Sequence, residues 1–247
     1  MLREGDWVLI RHEDKRYLKK ITDKGSINVK KDVLRFSEII GKPEGIRIGN
    51  FEVFKPVLED IILLGFTRKT QIIYPKDAFY IAFKLGISKD SKILEFGTGS
   101  GALCAVLSVL AREVHTYEVV EEFYRLARRN MERFGLGKNV KFFNMDFADA
   151  RIEPRSFDCA FVDVREPTPY LGKLHECLRD GAPVGFLLPT ANQVIELLES
   201  FGDRFGAVEV MEIIHRNYKT IPERFRPEDT MVAHTAYLVF ARKCTSS

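Results

Sequence analysis

Lys92-Ile93-Leu94-Glu95-Phe96-Gly97-Thr98-Gly99-Ser100-Gly101 is the stretch on which the fold turns. A short apolar run reads as a buried strand, and the apolar stretch Ala102 to Ala111 that follows reads as a helix. The glycines between them let the backbone turn tightly and bring a ligand close to the helix N-terminus. Because Ala102 follows Gly101, the run also satisfies the looser GxGxx(G/A) dinucleotide pattern, so a nicotinamide cofactor competes at this point.

Downstream, strands and helices alternate. Val114 to Glu118, Val140 to Met145, Phe157 to Val162 and Val184 to Leu188 are the expected strands, and Glu122 to Phe134 and Asn192 to Phe205 are expected helices. Such alternation marks an α/β domain with a mostly parallel sheet covered on both faces. Two β-like runs close the chain, Ala207 to Ile214 and Thr235 to Ala241, with no helix between them, so they should pair antiparallel.

Upstream the pattern differs. Trp7 to Ile10, Arg16 to Ile21, Ser26 to Val29 and Ile46 to Val53 are short β-like runs separated by Gly, Asp and Lys turns, which predicts a small β-barrel-like N-terminal domain over residues 1–60. Residues 61–90 read as a linker and a helix, Ala78 to Leu85, with Asp77 as its expected cap. Residues 91–247 form the α/β domain.

Composition sets limits. No apolar run approaches the roughly 20 residues of a membrane span, and the polar start Met1 to Asp6 lacks a leader's apolar region, so a cytoplasmic protein is expected. Four cysteines, Cys104, Cys159, Cys177 and Cys244, lack metal-ligand or disulfide spacing; they are read as reduced, and no metal site is expected. The net charge of +3 permits nucleic-acid binding without demonstrating it. Charged residues at 30% and only two glutamines, Gln71 and Gln193, lean towards a thermophile's composition.

Glu118 ends the second strand of the α/β domain, where a carboxylate can accept both hydroxyl protons of a ribose. Asp146 ends the third, where it can accept from an adenine amino group; a solvated strand end is the competing reading of Glu118. The acidic Glu95 before the glycines, with the antiparallel terminal pair, favours S-adenosylmethionine over a dinucleotide. A cationic sulfonium needs no phosphate-binding basic residue.

Further stretches stand out, Arg68-Lys69-Thr70-Gln71-Ile72-Ile73-Tyr74-Pro75-Lys76-Asp77, Phe161-Val162-Asp163 through Pro167, Pro189 with Gln193, and Arg226-Pro227 through Met231, His234, Thr235, Tyr237 and Leu238, and the run from Thr70 to Asp77 is far more specific than the glycine loop. With Glu95 to Gly101 they span nearly the whole chain, and on them the sequence resembles the tRNA (adenine-N1) methyltransferases that act at tRNA position 58. The resemblance implies a Rossmann-like class I methyltransferase domain, its seven-stranded sheet ending in an antiparallel strand, behind a β-rich N-terminal domain. It also implies a homotetramer, tRNA as partner and S-adenosylmethionine as cofactor. The expected cofactor contacts are Gln71, Ile72, Tyr74, Glu95, Gly97, Thr98, Gly99, Ser100, Gly101, Glu118, Phe123, Asp146, Phe147 and Asp163.

Adenine N1 is itself a nucleophile, and methylating it creates a positive charge that a nearby carboxylate can stabilise or relieve by taking an N6 proton. Asp163, at the end of the fourth strand, is the expected catalytic residue, and an N-cap of the helix beginning near Pro167 is its competing reading. The chain has Asp163-Val164-Arg165-Glu166-Pro167 where exocyclic-amine methyltransferases often carry Asn/Asp-Pro-Pro-Tyr/Phe, which favours ring N1. No cysteine for base-C5 chemistry stands in that loop. Tyr74, Arg165, Arg226 and His234 are the expected base or substrate contacts, and Arg68, Lys69, Lys76, Arg165, Arg224 and Arg226 the candidates for tRNA. Leu187 and Leu188 stand where some relatives have a tyrosine. The competing functions are methylation of a small molecule or protein, and a noncatalytic RNA-binding subunit.

Overall fold

In the N-terminal residues, polar turns divide the chain into six short strands: β1 (Trp7–His12), β2 (Lys15–Lys20), β3 (Ser26–Val29), β4 (Asp32–Arg35), β5 (Ile46–Ile48) and β6 (Phe51–Phe54). The computed structural model describes every residue except Thr70, Val232, Ser246 and Ser247. Contacts divide the chain into two units, Met1–Thr67 and Arg68–Ser247. In the first, β2-β1-β6-β5 form an antiparallel sheet and β3-β4 a hairpin. Every second residue of β3 and β6 is buried, so Ile27, Val29, Phe51 and Val53 join Val8, Ile10 and Leu34 in one apolar core. The expected single strand over Ile46 to Val53 is two, because the chain turns at Gly49, whose φ of +55° favours glycine. A helical stretch, α1 (Leu58–Asp60) and a π-turn over Ile61–Gly65, ends this unit.

The second unit carries one seven-stranded sheet. Its strands are β7 (Lys92–Phe96), β8 (Glu113–Tyr117), β9 (Val140–Phe143), β10 (Cys159–Val162), β11 (Pro183–Leu188), β12 (Phe205–Met211) and β13 (Tyr237–Lys243), in the order β12-β13-β11-β10-β7-β8-β9. The pairs from β11 to β9 are parallel, and β13 runs antiparallel to both β11 and β12. Burial of all four residues of β10 and four of five in β7 shows that the sheet centre is covered on both faces. The helices are α2 (Pro75–Lys84), α3 (Ala102–Leu110), α4 (Glu121–Arg133), α5 (Leu171–Cys177) and α6 (Ala191–Ser200). Residues 102–108 of α3 are all buried, as expected of a helix apolar all round.

Strand order reverses beside β7: the chain goes from β7 to β8 and β9 on one side, then crosses to β10 and β11 on the other. Ligands of open α/β sheets bind outside the strand carboxyl ends at such a switch point. Register sharpens the placement. Val162 pairs with Phe96, Phe96 with Tyr117 and Tyr117 with Phe143, so Asp163, Gly97 and Glu118 leave the sheet at one level. Hydrogen bonds from Asp163 N to Phe96 O (2.9 Å), Gly97 N to Tyr117 O (3.0 Å) and Glu118 N to Phe143 O (3.0 Å) carry the ladder one step further.

Two local expectations change. Tyr74 occupies the cap position of α2 with Pro75 in its first turn, while Asp77 lies inside the helix, buried against Lys76. The sixth helix ends at Ser200, and a 3-10 turn over Gly202–Arg204 leads into β12.

Candidate active site

The glycine loop is shaped by conformations that side chains resist. Gly97, Gly99 and Gly101 have φ of +88°, +55° and +83°. A Cβ on Gly97 would sit 1.9 Å from the Asp163 carbonyl oxygen, so the β7 and β10 ends meet backbone to backbone. Thr98 and Ser100 turn inward and are buried. The Thr98 hydroxyl meets that of Thr116 and donates to Tyr117 O (3.2 Å), and Asn130 Nδ2 donates to the Ser100 carbonyl (2.9 Å). These two side chains hold the loop's shape, which leaves its backbone to face the crevice.

Glu118 lies beneath that loop. Its Oε2 accepts from Gly99 N (2.9 Å) and its Oε1 from Val120 N (3.0 Å), so each carboxylate oxygen keeps capacity for a ribose hydroxyl. Phe123 follows in the first turn of α4, half-buried. Asp146 accepts from Ala148 N (2.8 Å) and from the Tyr170 hydroxyl (3.2 Å), a partner 24 positions away that no local pattern announces. The Phe147 ring stacks on Phe96 in the core, centroids 4.5 Å apart, so only its backbone is left to meet a ligand.

Carboxyl groups crowd this crevice. Glu95 is buried, with Oε2 lacking any hydrogen-bond partner, and burial pushes its pKa up to about 7, with the Asp163 and Glu118 charges adding to the rise. Asp163 is likewise pushed up to about 7, first by burial and then by Glu118, and it lines the adjoining cavity. A cationic ligand relieves both the orphaned oxygen and the mutual repulsion, whereas a pyrophosphate would aggravate it. The residues therefore fit S-adenosylmethionine and disfavour a dinucleotide.

A cavity of about 450 Å³ adjoins at Asp163. Gln71 to Tyr74, Asp77, Asp163 to Arg165, Leu187, Pro189 and His234 to Ala236 line it. Of the residues expected at the site, the structure brings Gln71, Ile72, Tyr74, Asp163, Arg165 and His234 into this cavity; the glycine loop, Glu118 and Asp146 line the strand ends beside it. The Gln193 side chain donates to the carbonyl of the lining residue Arg165 (2.9 Å). His234 places Nδ1 2.8 Å from Glu212 Oε2 and Nε2 3.3 Å from Pro189 O. Two acceptors require two N–H donors, and the Glu212 bond, with that of Pro189, raises its pKa.

The competing reading of Asp163 as a helix cap does not hold, because the next helical turn, Thr168–Tyr170, starts from Pro167. Arg226 is absent from the cavity lining and pairs with Asp229 (2.6 Å) on an exposed segment. Lys76 is no free RNA contact: its ammonium is spent on Asp77, Ile213 O and Thr235. Lys69 pairs with Glu122. Thr70 lies outside the described residues.

Sheet order, glycine loop and cation-seeking crevice together define a class I S-adenosylmethionine-dependent methyltransferase. The family described as the tRNA methyltransferase complex GCD14 subunit matches residues 56–226, and the chain belongs to it. It is similar to the tRNA (m1A58) methyltransferase TrmI of Aquifex aeolicus, 64% identical over 99% of each chain with a TM-score of 0.96. A solved S-adenosylmethionine-dependent O-methyltransferase from Thermotoga maritima is 35% identical, with a TM-score of 0.90 over 100% of this chain and 96% of that one. The tRNA (adenine(58)-N(1))-methyltransferase TrmI of Thermus thermophilus is 31% identical over 79% of this chain and 78% of that protein.

Proposed function

We propose that this chain methylates N1 of adenine at position 58, in the T-loop of tRNA, using S-adenosylmethionine, and that it works in the cytoplasm as a homotetramer. The observation that carries the reading is the position of Asp163, shared by the crevice and the cavity. Glu118 would hold the ribose, Asp146 and the Phe147 backbone the adenine edge, and Glu95 would face the positive charge of the cofactor's ammonium and sulfonium groups. When bound, the cofactor supplies an electrophilic methyl group on sulfur.

The remaining chemistry belongs to the protein's own residues. Tyr74 and Leu187 offer apolar walls between which a base can lie, and the Asp163 carboxylate accepts from the N6 amino group. As N1 gains its methyl group the ring becomes cationic, and Asp163 stabilises that charge or takes the N6 proton. His234, its pKa raised by the hydrogen bond to Glu212, marks the rim that a backbone phosphate would approach.

Nucleoside mass spectrometry of tRNA treated with the protein and labelled cofactor tests the proposal. The expected product is 1-methyladenosine from position 58, lost when that adenine is replaced. A label on ribose oxygen, or on no nucleoside at all, would refute it.

A further inference from the structure

Lys76 stands at the start of α2, two residues after the cavity aromatic Tyr74. Its Nζ lies 2.8 and 2.9 Å from the two Asp77 carboxylate oxygens, 2.8 Å from the Ile213 carbonyl and 3.0 Å from Thr235 Oγ1. Thr235 in turn donates to Asp77 Oδ2 (3.4 Å). An ammonium has three protons, and here each has an acceptor. The side chains of Lys76 and Asp77 are 13% and 5% exposed, so the cluster is largely withdrawn from water, where such bonds are strongest and costly to leave unmade.

The cluster joins parts of the second unit far apart in sequence. Ile213 follows β12 and Thr235 precedes β13, 137 and 159 positions from Lys76. Between them the chain leaves the sheet, with only a 3-10 turn at Pro222–Arg224 as helical structure among the described residues. Tyr74 and Asp77, at the start of α2, and His234, Thr235 and Ala236, before β13, are two separate stretches of the cavity wall. The His234 contacts tie the second stretch to Pro189 and Glu212, and the Lys76 cluster ties it to the stretch of Tyr74.

We propose that Lys76, through Asp77 and Thr235, is a positioning residue that sets the distance between the Tyr74 and His234 stretches and so holds the target base in line with Asp163. The assignment rests on the cavity being the adenine site. Lys76 itself touches no substrate; its effect passes through the two stretches. Since misplacement of reacting groups by about 1 Å can cost roughly 10²-fold in rate, the cluster's worth should appear in turnover and RNA affinity and not in cofactor affinity.

Thr235→Val is the cleanest test, because it removes the hydroxyl while keeping the side chain's shape. Steady-state methyl transfer to tRNA should lose roughly 10- to 100-fold in kcat/KM. Calorimetric S-adenosylmethionine affinity should hold, and Thr235→Ser, which keeps the hydroxyl, should restore turnover. Lys76→Met should show the same split, measured on the fraction that thermal melting shows to be folded. Methyl transfer by the unsubstituted protein separates failure of the tRNA reading from failure of this assignment. Unchanged kcat/KM in Thr235→Val would overturn it, and so would a loss accounted for by cofactor affinity or a Ser variant no better than Val.

Discussion

At the residue scale, the buried carboxyl groups make the site's electrostatics measurable. Glu95 and Asp163 rise from their ordinary values of 4.5 and 3.8 to about 7, so between roughly pH 4 and 7 the folded chain holds protons that the unfolded chain has released. Their stabilisation is fully present below the unfolded values and is lost as pH rises through about 7. Thermal melting of the free protein should therefore show this contribution falling from pH 5 to pH 8, and Glu95→Gln should flatten the fall. S-adenosylmethionine affinity should move the opposite way, rising with pH as both groups ionise and pair with the cation. Affinity independent of pH across this window would remove the charge-pairing account. The acidic character of this crevice was legible in Glu95, Glu118 and Asp163 from the sequence. That Glu95 would keep an unpartnered oxygen was not, because its surroundings come from β8 and α3.

At the element scale, the strand–glycine loop–helix unit was legible because its determinants are local. β7 begins and ends at the expected Lys92 and Phe96, and α3 starts at Ala102 after Gly101 in a left-handed conformation. β4 escaped notice because only Leu34 of its four residues is buried, which leaves no alternation to see. Asp77 misled as a cap because acidic residues near a helix start usually serve the backbone, whereas here a lysine beside it and a threonine 158 positions away claim the side chain. The loop's backbone contact with Asp163 makes a direct prediction. Gly97→Ala combines a φ of +88° with a Cβ 1.9 Å from a carbonyl oxygen, so neither rotation nor side-chain movement can absorb it. S-adenosylmethionine binding should fall at least roughly 10-fold and the melting temperature should drop, by the strain of about 1–3 kcal/mol expected for such a residue. Calorimetry and melting that match the unsubstituted protein would show that the loop can move away from β10.

At the scale of the whole molecule, function follows from topology. The crossing from β9 to β10 lays Asp163 beside Gly97, and the antiparallel return of β13 between β11 and β12 delivers His234 and Thr235 to the cavity lining. Sequence pattern foretold the parallel strands and their antiparallel ending. It could not foretell that residues 71–74 and 77 would line one cavity with residues 234–236, since contacts over more than 150 positions leave no periodicity. The central claim is that the cofactor crevice and the base cavity meet at one carboxylate. Single-turnover methyl transfer to tRNA at saturating S-adenosylmethionine, compared between the unsubstituted protein and Asp163→Ala, tests it most directly. A loss of roughly 10²-fold or more in rate is expected even with the cofactor saturating, in a variant that melting shows to be folded. Near-normal turnover by the folded variant would contradict the claim.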